Sequence, residues 1–427
     1  MIIKRDNYLD KLISSKHINL IKVVTGIRRS GKSYLLDPIF TNHLKESGVR
    51  EDHIIKIDLD DISNDHFHDP KKLDSYIREQ ILDTDMYYII LDEIQLVTKF
   101  EALLNGLLKI SNVDVYVTGS NSKFLSTDII TEFRGRSQQI RIHPLSFKEF
   151  YDSSNLSKHE AYNQYIRFGG MPLLNSFNNE EAKAKYLKDL FELTYFKDIV
   201  ERNNVERDDV LESLTRILAS SIGSLTSARK LTNTYKSKGN KELSHNTVIL
   251  YLKYLEDSFL IEKVDRYDVK GKRYIEQTSK YYFTDVGLRN AMLNFRQQEE
   301  NHTMENLVYL ELIRRGYNVD VGIVEVREEG SRKQLEVDFV CNQSFKRHYV
   351  QVSLHLDTKE KTIQETRPFL NIDDNFKKII IVKDNITPWI TEEGILVIGI
   401  IQFLLDSNSL DLWTKIYNRI DIQWKTI

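Results

Sequence analysis

The sequence predicts an α/β fold built on a parallel sheet, and three strand-like segments support this prediction. Leu20–Thr25, Tyr87–Leu91 and Val113–Thr118 are rich in apolar and β-branched residues, as strands covered on both faces are. A further strand candidate, His53–Leu59, lies between the first two in the sequence. Open α/β sheets bind their ligands at the carboxyl ends of the strands. We therefore expect the functional site where these segments end.

The first of these strands leads into a glycine-rich loop with the spacing G-x-x-x-x-G-K-S, and the helix-like segment Tyr34–Leu36 follows it. The loop consists of Gly26, Ile27, Arg28, Arg29, Ser30, Gly31, Lys32 and Ser33. In this context the glycines let backbone N–H groups turn towards phosphate oxygens, at the positive end of a helix dipole. We expect Lys32 to reach the β and γ phosphates of ATP, Ser33 to bind Mg²⁺, and Arg28 and Arg29 to face solvent or a partner.

Two acidic residues, Asp92 and Glu93, directly follow the second strand. Asp92 is expected to hold Mg²⁺ through water, and Glu93 to polarise the water that attacks the γ phosphate. Ser120 or Asn121, after the third strand, is placed to contact that phosphate or to hold the water. The alternatives are a solvated acidic turn and an ordinary polar turn. A strand between the two motifs, with a glutamate after the aspartate, favours the additional-strand, catalytic-glutamate class of ATPases.

The chain length of 427 residues predicts several domains. We expect three, at residues 1–150, 151–298 and 299–427. The single cysteine, Cys341, excludes an internal disulfide and a cysteine-based zinc site, and it predicts a reducing compartment, by default the cytoplasm. The charged N-terminus predicts no signal peptide, and the longest apolar run, Ile395–Leu405, is too short to span a bilayer. The net charge of -3 neither favours nor excludes nucleic acid.

The middle of the chain has the pattern of a winged helix-turn-helix. The expected elements are three helices and two β segments, at Leu211–Ile222, Ser227–Tyr235, Ser244–Asp257, Leu260–Tyr267 and Tyr281–Thr284. Ser244 is the expected N-cap, and Ser244–Thr247 would lead the recognition helix. Basic residues of this helix and of the wing would then contact DNA phosphates, namely Lys253, Lys270, Lys272 and Arg273. The alternative is a packing module with soluble basic turns.

The C-terminal part predicts a helix, three strands, a helix and a strand. The first helix begins near Glu305 and stops at Gly316. The following segments are Asn318–Val326, Gln334–Val340, His348–Leu354, Thr358–Leu370 and Lys378–Val382. This is the order of elements in restriction-endonuclease-like folds.

Taken together, the sequence resembles a prokaryotic AAA+ family, in which a P-loop ATPase is fused to a C-terminal domain of unknown function with a restriction-endonuclease-like core. Beyond the phosphate loop the resemblance rests on five segments: Leu91–Gln95, Thr118–Ser122, Phe133–Arg136, Pro144–Phe147 and Phe168–Pro172. It implies ATPase activity with ATP and Mg²⁺ as cofactors. It also implies an α/β architecture of an AAA+ domain, a helical and winged-helix region, and an endonuclease-like domain.

The resemblance also suggests a role for two arginines after the third strand, Arg134 and Arg136. In AAA+ proteins an arginine in this region often completes the site of a neighbouring subunit, where it stabilises the transferring phosphoryl group. We therefore expect a homo-oligomer, with Arg136 as the candidate finger. The alternative is an arginine paired with a surface carboxylate.

In active endonuclease-like folds, a helix glutamate, a strand aspartate and an E-x-K on the next strand bind magnesium. Glu305 and Asp338 match the first two positions, but Gln351-Val352-Ser353 stands where E-x-K belongs. The sequence thus predicts a degenerate nuclease-like site at Glu305, Asp338, Gln351 and Ser353. A lysine from elsewhere, Lys346 or Lys359, is the alternative source of the missing ammonium.

These observations predict an ATPase that couples nucleotide turnover to a conformational change acting on DNA or on a protein partner. DNA contact is expected through the winged helix and the C-terminal domain, and no membrane contact is expected. One alternative is a slow nucleotide-dependent switch whose winged helix binds DNA or a partner. Another is a nucleotide-gated nuclease.

Overall fold

The computed structural model describes residues 3–119, 133, 135–237, 243–296 and 299–412. The chain forms two compact units: residues 1–145 with 257–259, and residues 146–256 with 260–427. The predicted site residues Ser120, Asn121 and Arg134 lie outside the described residues. Within the described ranges, no helix is long and apolar enough to cross a bilayer.

A parallel sheet organises the first unit. Its strands are β1 (Ile21–Thr25), β2 (Ile54–Asp58), β3 (Tyr87–Asp92), β4 (Val113–Thr118) and β5 (Ser137–Arg141). They are arranged in the order β2-β3-β4-β1-β5, and every pairing is parallel. The four predicted strands are confirmed. The strand that separates β1 from β3 in space is β4, whereas β2 lies at the edge of the sheet.

Helices cover both faces of this sheet, and β3 is buried on both. The helices are α1 (Asp6–Ser14), α2 (Lys32–Tyr34), α3 (Thr41–Glu46), α4 (Pro70–Gln80) and α5 (Phe100–Leu107). Tyr87, Ile89 and Leu91 belong to the core on one face, and Tyr88 and Ile90 belong to the core on the other. This alternation explains why the segment reads as a continuous apolar run.

The second unit begins with a series of helices. They are α6 (Phe147–Asp152), α7 (Lys158–Phe168), α8 (Glu180–Asp189), α9 (Lys197–Arg202), α10 (Asp208–Ser220), α11 (Ala228–Ser237) and α12 (His245–Asp257). The last three confirm the helices predicted in the middle of the chain. The Ser244 hydroxyl accepts a hydrogen bond from the Thr247 N–H at 3.0 Å, which confirms the predicted N-cap of α12.

A mixed sheet follows in the second unit. Its strands are β6 (Ile261–Asp268), β7 (Arg273–Phe283), β8 (Asn318–Glu328), β9 (Ser331–Gln343), β10 (Lys346–Ser353), β11 (Lys377–Val382), β12 (Trp389–Ile390) and β13 (Leu396–Gly399). Their order is β12-β13-β11-β10-β9-β8-β6-β7. β7 is longer than the predicted segment at 281–284, because it pairs with β6 from Arg273 onwards.

Four helices accompany this sheet: α13 (Val286–Met292), α14 (Glu300–Arg314), α15 (Lys359–Leu370) and α16 (Ile400–Leu405). The predicted succession of helix, three strands, helix and strand is confirmed, although α14 begins at Glu300 rather than near Glu305. β6 pairs with β8, so the sheet is continuous across the expected boundary between residues 298 and 299. The winged-helix and endonuclease-like assignments and the three-domain division stay predictions.

Candidate functional site

The glycine-rich loop connects β1 to α2 and depends on both of its glycines. Gly26 has φ 146° and Gly31 has φ 95°, conformations that residues with a Cβ rarely adopt. A Cβ on Gly26 would also lie 2.2 Å from the backbone oxygen of Ile142, at the end of β5. The sequence therefore needs glycine at position 26 for close packing and at both positions for the turn.

Lys32 places a buried ammonium inside this loop. Its Nζ donates to the backbone oxygens of Gly26 at 3.1 Å and Ile27 at 3.3 Å. Burial lowers the pKa of Lys32 to about 8, while the carboxylates of Glu93 and Asp92 partly oppose that shift. A cation removed from water in this way gains from an anionic ligand that restores its charge balance.

Asp92 is joined to side chains from two other elements at the carboxyl edge of the sheet. Its carboxylate accepts a hydrogen bond from the hydroxyl of Thr118, the last residue of β4, and the nearby Ser33 hydroxyl, in α2, acts to lower its pKa. Burial is the main cause that raises the pKa of Asp92. Thr118 was not among the predicted site residues, although it ends the strand that lies between β1 and β3.

Glu93, the residue after Asp92, has a strained backbone conformation. Its φ of 53° lies in the left-handed region, which costs a non-glycine residue on the order of 1 kcal/mol and is common at functional sites. The Thr118 hydroxyl accepts a hydrogen bond from the Glu93 N–H at 3.0 Å. The Glu93 carboxylate accepts one from the Gln95 amide, so β4 and the following turn together hold this residue.

These residues fit a magnesium nucleotide. Hydroxyl and carboxylate oxygens, as Ser33 and Asp92 offer, are the ligands that Mg²⁺ prefers. The Ser30 hydroxyl is buried and has no hydrogen-bond partner among the described residues. A buried hydroxyl of this kind is suited to a ligand oxygen, since an unmet polar group is costly. Lys32 supplies the positive charge that phosphates require.

Three arginines of the loop region differ in their surroundings. Arg28 and Arg29 are exposed, which confirms the expectation that they face outwards. Arg5 is buried and donates to the backbone oxygens of Ser30 at 3.4 Å and His143 at 2.6 Å. Arg5 thus supports the loop from the N-terminal segment. Nothing in its sequence context distinguishes it from a surface arginine.

The finger candidate Arg136 lies on the surface of the first unit, just before β5. It is exposed, and its Nη1 donates to the side-chain oxygen of Asn105 at 3.2 Å. This hydrogen bond is itself exposed to solvent, so among the described residues nothing covers the guanidinium against a second chain.

The predicted nuclease-like residues are brought together only in part. The Asp338 N–H donates to the Gln351 side-chain oxygen at 3.3 Å, and the Val352 N–H donates to the Asp338 carboxylate at 2.8 Å. Glu305 also belongs to this buried group, because the ammonium of Lys280 lies near both Glu305 and Asp338. Ser353, in contrast, donates to the backbone oxygen of His355 at 3.0 Å.

The structure contradicts one alternative for the missing ammonium. Lys346 lies at the start of β10, at the opposite end of the strand from Ser353. Its Nζ contacts Asp411 instead, at 3.4 Å. Lys359 is exposed at the start of α15. The lysine that does reach the acidic residues is Lys280 of β7, which was not among the predicted candidates.

Comparison with known proteins agrees with this geometry. Residues 19–151 match an AAA domain, and residues 159–299 match a "Domain of unknown function (DUF8612)". An uncharacterised protein of Haemophilus influenzae is 33% identical over 95% of this chain and 99% of its own length. The uncharacterised protein MJ1544 of Methanocaldococcus jannaschii is 30% identical over 90% of this chain and 87% of its own. This chain belongs to the family of these two proteins.

The match at residues 19–151 shows an AAA-type domain in the N-terminal part of the chain. The sequence resemblance to a P-loop ATPase is thereby confirmed, whereas the endonuclease-like nature of the C-terminal part stays a prediction. Among solved structures, the Walker-type ATPase PABY2304 of Pyrococcus abyssi is similar over 68% of this chain and 96% of its own length. The TM-score is 0.49 at 16% identity, which is too low to establish a shared arrangement.

Proposed function

We propose that this protein binds ATP with Mg²⁺ at the loop from Gly26 to Ser33 and hydrolyses it. The observation that carries the proposal is the buried ammonium of Lys32 inside the loop, with the carboxylates of Asp92 and Glu93 close enough to act on its pKa and the Ser33 hydroxyl close enough to act on that of Asp92. Residues from the loop helix and from β3 thereby form one oxygen-rich site with a cation next to it. This is the arrangement that phosphoryl transfer needs, since its catalysis depends mainly on positioning and charge neutralisation.

Each residue has a separate role in this proposal. Lys32 binds the β and γ phosphate oxygens, and Ser33 and Asp92 would hold Mg²⁺, which neutralises the charge of the phosphates when bound. Thr118 orients the Asp92 carboxylate through its hydroxyl. Glu93 accepts a proton from the attacking water, as a general base does.

Two substitutions test this proposal by separating binding from turnover. Lys32→Ala is expected to abolish nucleotide binding in calorimetry. Glu93→Gln should retain binding but lower the steady-state ATPase rate by about a hundredfold or more, the scale of a lost general base. Glu79→Gln, at an exposed position of α4, is the matched control and should behave as the parent. Similar ATPase rates for Glu93→Gln and the parent would refute the assignment.

We further propose that turnover is coupled to DNA or to a protein partner through the second unit. The support comes from the exposed side of α12 and from the β6–β7 turn. His245 and Lys253 are exposed on α12 together with the apolar Ile249 and Leu250. Lys270, Lys272 and Arg273 are exposed around the turn. The basic residues suit DNA phosphates, and the apolar pair suits a protein surface.

The ATPase rate with and without DNA is the direct measurement of this coupling. If DNA is the partner, binding should weaken steeply with salt, because neutralised phosphates release condensed counterions. Replacing Lys270, Lys272 and Arg273 together by alanine should then reduce both the affinity and the salt dependence. The same replacement of Lys71 and Lys72, exposed on α4, is the control. The absence of DNA binding at low salt with nucleotide present would leave a protein partner.

The runner-up function, a slow nucleotide-dependent switch, predicts a different result. Nucleotide would then change DNA or partner affinity while the ATPase rate stays near zero. A steady-state ATPase rate of about 1 s⁻¹ or more, as ordinary enzymes reach, would exclude it.

A further inference from the structure

A buried ammonium lies among three carboxylates in the second unit. Lys280 Nζ is 2.7 Å from Glu305 Oε1, 2.7 Å from Glu336 Oε1 and 3.7 Å from Asp338 Oδ1. We call these four residues the Lys280 cluster. Lys280, Glu305 and Asp338 are all buried, and Glu336 is partly exposed.

Three separate elements build the Lys280 cluster. Lys280 lies on β7, Glu305 on α14, and Glu336 and Asp338 on β9. Because side chains alternate along a strand, Glu336 and Asp338 lie on the same face of β9. Tyr282, two residues after Lys280, donates its hydroxyl to Glu305. The fold thus directs alternate residues of β7 and β9 towards one carboxylate of α14.

The charges of the cluster depend on Lys280. Burial would lower the pKa of Lys280, but the carboxylates of Glu305, Asp338 and Glu336 outweigh that effect and hold it well above its usual value. Burial, followed by the nearby Glu305, raises the pKa of Asp338 well above its usual value. Without the ammonium, the buried Glu305 carboxylate would keep only His302, whose Nδ1 lies 3.5 Å from its Oε2, to balance the negative charges of the cluster, a situation that proteins rarely tolerate.

The same oxygens are suited to a divalent cation. The carboxylates of Glu305, Glu336 and Asp338 are hard oxygen ligands, which bind Mg²⁺ at about 2.0–2.1 Å. With Lys280 between them, their oxygens do not all lie within 4.8 Å of one another, so they would have to close in around a metal ion at the centre. Lys280 Nζ, equidistant from Glu305 and Glu336, already fills that position. A second cation there would be repelled by the ammonium at short range in a buried site.

We propose that Lys280 is a built-in cation that occupies the position of a divalent metal ion in this cluster. The native cluster therefore binds no divalent metal, and removing the ammonium opens a site for Mn²⁺ or Mg²⁺ between Glu305, Glu336 and Asp338. The inference concerns the second unit alone and does not depend on ATP hydrolysis by the first.

Calorimetric titration with Mn²⁺ tests this proposal in the full-length chain without nucleotide. Every protein carries Asp92→Asn, so that the nucleotide site contributes no metal binding. Lys280→Met should bind one Mn²⁺ per chain at least about tenfold more tightly than the Lys280 parent, since carboxylate charge governs affinity for hard cations. Adding Glu305→Gln should remove that gain. Lys280→Arg, which keeps the positive charge, should resemble the parent.

Thermal unfolding gives an independent readout. Lys280→Met should melt at a lower temperature than the parent, and Mn²⁺ should restore much of the loss, because a ligand that binds only the folded state stabilises it. The parent should not respond to Mn²⁺. Lys280→Gln is the second variant if Lys280→Met does not fold.

Two results would overturn the proposal. One is Mn²⁺ binding by the parent that Asp338→Asn abolishes, which would show that the ammonium and a metal share the cluster. The other is a folded Lys280→Met or Lys280→Gln protein that binds Mn²⁺ no better than the parent. The first comparison uses only proteins that retain Lys280, so it decides the question even if both Lys280 variants fail to fold. Loss of ATPase activity in Lys32→Ala or Glu93→Gln bears on neither result.

Discussion

The Asp285 carboxylate accepts a hydrogen bond from the backbone N–H of Gly170, at 2.7 Å. It also caps α13 by accepting from the Leu288 N–H at 3.0 Å. A Cβ on Gly169 would lie 2.2 Å from this carboxylate, and one on Gly287 would lie 1.8 Å from the Phe168 oxygen. Gly169, at the end of α7, and Gly287, in α13, therefore have to be glycines for these two helices to pack against each other.

This relationship predicts that Asp285→Ala destabilises the second unit. The change leaves a buried N–H without an acceptor and removes a helix cap, so we expect the free energy of unfolding to fall by roughly 2–4 kcal/mol. Chemical denaturation followed by circular dichroism measures it. Asp357→Ala, at an exposed position, is the control and should change little. An unchanged denaturation midpoint for Asp285→Ala would contradict this account of Asp285.

The lowered pKa of Lys32 predicts that ATP affinity depends on pH. Only the protonated ammonium attracts phosphate, and its pKa in the free protein is about 8. Affinity should therefore be nearly constant below pH 7 to 7.5 and fall as pH rises through 8, by about tenfold for each further pH unit. Calorimetry of ATP binding between pH 7 and 9.5 checks this.

Lys32→Arg is the control for the pH series, because a guanidinium stays protonated throughout this range. Its affinity for ATP, even if weaker, should not fall in the same way. A parent protein whose affinity stays constant from pH 7 to 9.5 would mean that Lys32 keeps its proton or does not contact the phosphates.

The sequence predicted the strands of the first unit because burial on both faces leaves a clear apolar signature, as in Tyr87–Leu91. It also predicted the loop, whose glycine spacing follows from backbone geometry. It did not predict Thr118 or Lys280. Each acts through a neighbour distant in sequence, Asp92 and Glu305 respectively, and only the packing of separate elements brings these pairs together.

The domain organisation was harder to predict for a similar reason. The hairpin of β6 and β7 reads locally as the end of a winged helix. Its pairing with β8 involves residues 266–268 and 321–323, and no local pattern marks that pairing. The successive segments alone therefore do not reveal that strands on both sides of the expected domain boundary, between residues 298 and 299, belong to one sheet.

The candidate role of Arg136 in a neighbouring site predicts that ATP hydrolysis depends on the assembly of several chains. If its guanidinium completes the site of a neighbouring chain, the ATPase rate per subunit should rise with protein concentration. Arg136→Ala alone and Glu93→Gln alone should both be slow. Mixing them should partly restore activity, because some interfaces then pair an intact Glu93 with an intact Arg136. A concentration-independent rate from a proven monomer would exclude this role.

The last prediction is that the purified protein does not cut DNA in the presence of magnesium. Gln351 can offer a neutral oxygen, but it lacks the negative charge that holds a hard divalent cation in competition with water. Ser353 carries no positive charge and is engaged with the His355 backbone. It therefore cannot stabilise the charge that develops on the phosphate, and such stabilisation usually contributes most to the rate of these reactions. Lys280 brings an ammonium to Glu305 and Asp338, but at the place where the metal would bind.

The assay is incubation of linear, supercoiled and single-stranded DNA with Mg²⁺ or Mn²⁺ and ATP, with Asp338→Ala in parallel. We expect no products from either protein. Cleavage by the parent that Asp338→Ala abolishes would contradict this prediction and would make a nucleotide-gated nuclease the better description.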